Sequence, residues 1–234
     1  MRIRVRVPEL MDDPALDAKA HDRALAGLIR LNQWSRAHRL LWSGVAAHAR
    51  AVNAEGRALR VLDVATGSGD APIAMDAWAK RAGLRIEWIL SDRSAHALSV
   101  AHARAEAAGV RATTAVADAV AGPLPAACDL AICSLFLHHF DPPDVMRVLR
   151  NMSAAATRAV GVTDLDRTRA GLALAWLGGR ALSRSYIVHH DAPASVRAAF
   201  TRAEIAALAR TAGLDGVEVR GAWPARWTLW WRRA

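Results

Sequence analysis

Lysine and cysteine are scarce in this chain, and no long apolar run occurs in it. Lys19 and Lys80 are its two lysines, so arginine carries nearly all the positive charge behind a net +9. A basic balance can serve nucleic acid or an anionic membrane. Here no five basic residues adjoin, and the arginines are scattered through alanine-rich stretches. That pattern reads as a solvated basic surface rather than a nucleic-acid groove. The cysteines are Cys128 and Cys133. Neither belongs to a metal or redox spacing motif, and two make no disulfide framework, so a reducing compartment fits and no metal is expected. No apolar stretch approaches the ~18 residues of a membrane span. The opening Met-Arg-Ile-Arg-Val-Arg-Val-Pro has no apolar signal region. The expectation is a cytoplasmic protein that could still visit a membrane surface.

The 234 residues, 53% of them hydrophobic and with no low-complexity tract, suffice for one large α/β domain with a substantial core. Its organising stretch is Val61-Leu-Asp-Val-Ala-Thr-Gly-Ser-Gly-Asp70. Val61, Leu62 and Val64 suit a buried parallel strand. Gly67 and Gly69 then make a tight turn, and Asp70-Ala-Pro72 starts a helix with proline in its first turn. Backbone N–H groups at such a turn can face a ligand that glycine lets approach closely. The dinucleotide fingerprint needs a third glycine where Pro72 stands. No Gly-Lys-Ser/Thr follows, so this is not an ATP P-loop.

Downstream, helical and strand patterns alternate. Ala71–Arg81 reads as helix, Arg85–Leu90 as strand, Ser94–Ala108 as helix and Arg111–Val116 as strand; Asp129–Ser134 and Arg158–Val162 supply a fourth and a fifth strand. Asp63, Asp92 and Asp118 each close one of the first three strands. Asp92 lies 23 residues past Gly69, a spacing at which a carboxylate can grip both ribose hydroxyls. The alternative is an N-cap for the following helix, a task Ser94 can also perform.

The glycine pair with its acidic series resembles motif I and its partners in the class I S-adenosylmethionine-dependent methyltransferases. Ala65, standing where many members have a first glycine, is similar to the ubiquinone/menaquinone methyltransferase group. The resemblance implies a Rossmann-like doubly wound, mostly parallel seven-stranded sheet with a C-terminal antiparallel hairpin. It covers residues 57–165 well and the last third moderately. It implies S-adenosyl-L-methionine as cofactor and S-adenosyl-L-homocysteine as product. The implied cofactor residues are Asp63, Ala65, Thr66, Gly67, Ser68, Gly69, Asp92, Arg93, Asp118, Ala119 and Ser134, with Asp118 near the adenine amino group.

Leu135-Phe-Leu-His-His-Phe140 follows the fourth strand, where family members face the transferred methyl. An imidazole there could take a phenol or enol proton or could simply orient the loop. Asp141-Pro142-Pro143-Asp144 looks like the Asp-Pro-Pro-aromatic signature of amine methyltransferases, but it lies seven residues after Ser134 and lacks the aromatic. It reads as a helix start capped by Asp141.

Two further regions flank this core. Residues 1–56 form a helical lid or a cover for the sheet edge: Leu16, Leu25, Leu28 and Ile29 suggest one helix, and Trp34, Ala37, Leu41 and Val45 a second. Asn32, Trp34 and Arg36 mark their junction. Residues 166–193 are an insertion in the 57–234 core, with an apolar helix at Gly171–Leu177, then Gly178-Gly179, then Ser183 to Pro193 with His189-His190-Asp191 in a loop. Adjacent His and Asp could be a base and its orienting carboxylate, or mere surface. Thr201-Arg-Ala-Glu204 is a capping box, and Val217–Arg220 with Trp227–Trp231 closes the sheet. That Trp/Arg-rich end could touch a membrane, although an amphipathic edge strand explains it too.

The expected activity is methyl transfer to a hydroxyl of an apolar aromatic small molecule, a phenol or hydroxyquinone. His139 and His190 are the candidate bases, and Trp34, His138, Asp164 and His189 the candidate acceptor contacts. Carbon methylation of a quinol, RNA methylation and a non-catalytic cofactor-binding protein remain alternatives.

Overall fold

The computed structural model describes all residues except 2, 13–15, 18, 21, 22, 25, 26, 28, 29, 32–36, 126 and 234. Leu25, Leu28, Ile29, Asn32, Trp34 and Arg36 therefore lie outside the described residues.

After a 3-10 turn at Leu10–Asp12 and helical residues between 19 and 31, α1 (Ala37–Ala54) leads into β1 (Leu59–Val64). There follow α2 (Asp70–Arg81), β2 (Ile86–Asp92), α3 (Ala95–Ala107), β3 (Ala112–Val116) and β4 (Cys128–Ser134). A 3-10 turn at Leu137–His139 precedes α4 (Pro142–Ala155) and β5 (Ala156–Leu165). The chain continues through α5 (Arg169–Leu182), α6 (Tyr186–Ala198), α7 (Arg202–Thr211), β6 (Glu218–Ala222) and β7 (Arg226–Arg232).

The seven strands form one sheet in the order β3-β2-β1-β4-β5-β7-β6. β1 to β5 pair parallel, and β7 runs antiparallel to both β5 and β6. The expected doubly wound sheet with a terminal hairpin is present. Its central strands are apolar on both faces because helices cover both. Val61, Leu130 and Ile132 pack on one side with Leu41, Val45 and Met75. Leu62, Ala131 and Cys133 pack on the other with Val145, Leu149 and Ile205. The alternation of Leu130 with Ala131 between the two cores is the period of two expected of a strand.

The expected lid helix is one of these covers. In α1, Leu41 and Val45 are fully buried against the sheet, and Trp42 packs edge-on to Trp78 at 5.7 Å. The close approach depends on missing side chains. A Cβ on Gly161 would meet the Trp230 ring at 2.7 Å, and one on Gly44 would overlap the same ring. Trp230 thus fills a notch between α1 and β5.

Two expectations about the insertion change. The helix expected at Gly171–Leu177 runs on through Gly178-Gly179 inside α5, and a Cβ on Gly179 would meet the Val188 carbonyl of α6 at 3.4 Å, an ordinary contact. His189, His190 and Asp191 lie on α6 rather than in a loop. Thr201 and Glu204 form the expected capping box. Asp141 stands at the N-cap of α4 but makes no side-chain capping bond; its carboxylate accepts from Arg6 at 2.8 Å instead.

Candidate active site

Two cavities lie at the C-terminal ends of the parallel strands, where open α/β sheets bind ligands. The larger, about 810 Å³, is bounded by Ala65 and Gly67 after β1, Asp92 and Arg93 at β2, Ala117–Val120 after β3, and Phe136 and His138–Phe140 after β4. Its remaining wall is the N-terminal segment Arg6–Glu9, with Ala198. The smaller, about 170 Å³, is lined by Leu135, Leu165, Leu174 and Val196 together with Arg226 and others. Glu9, His138 and His139 line both.

The glycine turn explains itself locally. Ala65, Gly67 and Gly69 all have positive φ, of 56°, 54° and 77°. Glycine holds such a conformation without a Cβ penalty, whereas Ala65 bears it at a cost of about 1 kcal/mol or more. Asp92 ties the turn to β2: its Oδ2 accepts from the Gly67 N–H at 3.0 Å, and its Oδ1 from the Ser94 N–H at 2.9 Å. Ser94 itself caps α3, accepting from the Ala97 N–H. Each Asp92 oxygen thus keeps acceptor capacity, and the residue faces the cavity. Asp118 lines the same cavity and braces its own turn, accepting from the N–H groups of Val120 and Ala121.

Of the expected cofactor residues, Ala65, Gly67, Asp92, Arg93, Asp118 and Ala119 line the larger cavity. Asp63, Thr66, Ser68, Gly69 and Ser134 do not line it. They support it. Asp63 is buried under the turn and accepts from the Thr66 hydroxyl at 2.7 Å. Burial pushes its carboxyl up to about 7; the Thr66 hydrogen bond opposes this and the charges of Asp92 and Asp70 add to it. Ser68 donates to Asp70, its carbonyl accepts from Arg104, Gly69 starts α2, and Ser134 pairs with Thr163.

At the shared wall, His138 and Asp164 form a buried pair, with Nδ1 and Oδ1 2.7 Å apart. The His138 backbone N–H also donates to Asp164 Oδ2. Burial opposes charge on both partners, yet their mutual attraction outweighs it, holding the imidazole above its ordinary range and the carboxyl below. The His139 ring sits 4.2 Å from that of His138. Burial first, and His138 second, push it down to about 3, so it is neutral at pH 7. Leu135, at the end of β4, has φ 55°. Two of the four strand ends that border the cleft, β1 and β4, thus carry a non-glycine residue in a strained conformation, as functional sites often do.

The other expected acceptor residues fall elsewhere. His189 and His190 line neither cavity. His189 Nε2 lies 2.8 Å from the Ser183 carbonyl, and exposed His190 meets Asp191 through Nδ1. Asp191 is spent on structure: it is buried and accepts the N–H groups of Leu10 and Met11. Asp164 acts under His138 rather than at the cavity surface. Leu174 lines the smaller cavity, while Trp176 is half exposed under Arg180.

Glu9 and its neighbours carry no sequence signal of the kind read above. Their place is fixed by arginines. Arg4 donates to the carbonyls of His138, Phe140 and Ala198, and Arg6 to that of His139. Ser195 Oγ donates to Glu9.

Residues 61–158 match the model of a family described as a methyltransferase domain. No curated protein matches. Among solved structures the chain is similar to the S-adenosylmethionine-dependent methyltransferase SibL in its apo form (20% identity, TM-score 0.58, 82% of this chain and 55% of that one). It is similar to an O-methyltransferase family 2 protein from Planctomyces limnophilus DSM 3776 in complex with apigenin (18%, 0.55, 75% and 51%). It is similar over most of both chains to the magnesium protoporphyrin IX methyltransferase of Synechocystis PCC 6803 with bound SAH (16%, 0.55, 96% and 91%). The chain thus spans about half the length of the first two and nearly all of the third. Residues 61–158 are thus similar to a methyltransferase domain, and the chain has the fold of the S-adenosylmethionine-dependent methyltransferases it resembles.

Proposed function

We propose that the protein methylates a hydroxyl of an apolar aromatic small molecule, of the phenol or hydroxyquinone type, with S-adenosylmethionine as donor. The observation that carries this reading is the common wall: a large cavity edged by carboxylates and a small apolar one share Glu9, His138 and His139. The larger volume, about 810 Å³, suits a nucleoside with an amino-acid tail. In it Asp92 accepts from ribose hydroxyls and Asp118 sits near the adenine amino group, with Arg93 beside them. Bound there, the cofactor supplies an electrophilic methyl on a sulfonium that is already a good leaving group. The protein's part is positioning and proton removal. Leu135, Leu165 and Leu174 hold the aromatic ring and exclude water. The acceptor oxygen meets the wall, where neutral His139 accepts a hydrogen bond from the hydroxyl and passes its proton on to solvent while Asp164 keeps His138 oriented. The oxygen pair bonds to the methyl carbon as the sulfur–carbon bond breaks, its electrons returning to sulfur.

The test uses labelled cofactor with two panels, phenols and hydroxyquinones against total RNA. Label should enter the first panel only. Label entering RNA alone, in a salt-sensitive manner, overturns the reading and favours an RNA methyltransferase.

A further inference from the structure

The common wall has one more property. One donor atom from each of Glu9, His138 and His139 lies within 4.8 Å of the other two. We propose that these three residues bind a divalent first-row transition ion, with zinc as the type, at the junction of the two cavities. The role of such an ion in methyl transfer rests on the function proposed above; the binding does not.

The donor set is specific. Two imidazoles and one carboxylate suit zinc, cobalt or ferrous iron rather than calcium or magnesium, which prefer oxygen. Zinc places each donor at about 2.0–2.2 Å and two tetrahedral donors roughly 3.4 Å apart.

Their supports are those of a built site. Asp164 engages Nδ1 of His138, which leaves Nε2 for an ion. A carboxylate behind a ligating histidine is the usual way of fixing its tautomer and ring direction. His139 follows directly in the same 3-10 turn. Glu9 arrives from the other end of the chain and is fixed on both sides. Before it, Arg4 and Arg6 bind the carbonyls of this turn; after it, Leu10 and Met11 are tied to Asp191. Ser195 donates to Glu9 itself. Both cavities open on the three residues, so coordination positions remain for an acceptor or water. A hydroxyl reaching an ion there would ionise far more readily than in water. Its proton would pass to solvent, and His139 would hold the ion instead of the proton.

The experiment takes tag-free, full-length protein stripped of metal. It is titrated with Zn²⁺ by calorimetry and with Co²⁺ by visible absorption. The expected result is one ion per chain, with cobalt bands of a low-coordinate nitrogen–oxygen site. Glu9→Gln and His139→Ala should each weaken binding at least tenfold, and His190→Ala should not. Absence of stoichiometric binding by the wild type overturns the proposal. So does binding that survives both ligand variants. The two proposals fail separately. Phenol methylation that persists in excess chelator, by protein that binds no ion, sinks the metal site alone. One ion per chain with label entering only RNA sinks the proposed acceptor alone.

Discussion

The two sides of the cleft are built by opposite routes. The glycine-turn side is local: Thr66 bonds Asp63 three residues away, and Gly67 bonds Asp92 25 residues away. The wall shared by the two cavities is distant: Arg4 reaches Phe140 across 136 positions, and Ser195 reaches Glu9 across 186. A strand–turn–helix unit can carry the same ligand chemistry wherever it occurs. The shared wall depends on the whole chain being folded, and walls of that kind let one fold host different functions.

If this division is right, substitutions on one side should spare the other. The largest expected effect is on the turn. Asp63, with its carboxyl pushed up to about 7 by burial, binds a proton more tightly folded than unfolded. Its contribution to stability is therefore full below about pH 4 and lost as pH rises towards 7. The advantage of Asp63→Asn over wild type should grow across that window by a few kcal/mol, at about 1.4 kcal/mol per pH unit, in urea denaturation of apo protein at several pH values. A flat difference would show Asp63 to be ionised throughout.

Next in size, His139→Ala should lower methyl transfer by about 10²-fold or more and leave S-adenosylhomocysteine binding within a few-fold, by calorimetry. Arg4→Ala removes three hydrogen bonds to carbonyls and a contact over the Phe200 ring. It should cost about 2 kcal/mol of stability and raise the acceptor KM. Asp92→Ala should weaken S-adenosylhomocysteine binding about tenfold; unchanged affinity in a folded variant removes Asp92 from the cofactor site. The smallest effect is Ala65→Gly, which relieves a φ of 56° but loosens the unfolded chain. It should stabilise by less than about 1 kcal/mol without altering acceptor preference.

The same division decided what the sequence could tell. Periodicity and turn chemistry are short-range, so the strands, the glycine turn and the Thr201 capping box were legible. The acidic series led to Asp92 and Asp118, which line the larger cavity, but not to the fact that Asp63 turns inward. Apolar spacing in α1 said only that one face is buried. It could not say that the face meets the sheet through Leu41 rather than an acceptor. The insertion's first helix was legible as far as Leu177, but its continuation through Gly178-Gly179 was not, because glycine has poor helix propensity. Glu9 was invisible because no spacing rule joins residue 9 to residues 138 and 139. Arginine-to-carbonyl bonds do so, and these leave no pattern in the sequence.

Arg4 and Ala198 are 194 positions apart, which bears on when the protein becomes active. Contacts so far apart in the chain form only after the intervening loop is closed, and closing it is slow. The sheet and its glycine turn have no need to wait for that closure. During refolding, the bond from Gly67 to Asp92 should therefore form before residues 6–9 wall the larger cavity, and the interval between protection of the turn and full cofactor affinity would time the docking of residues 4–11.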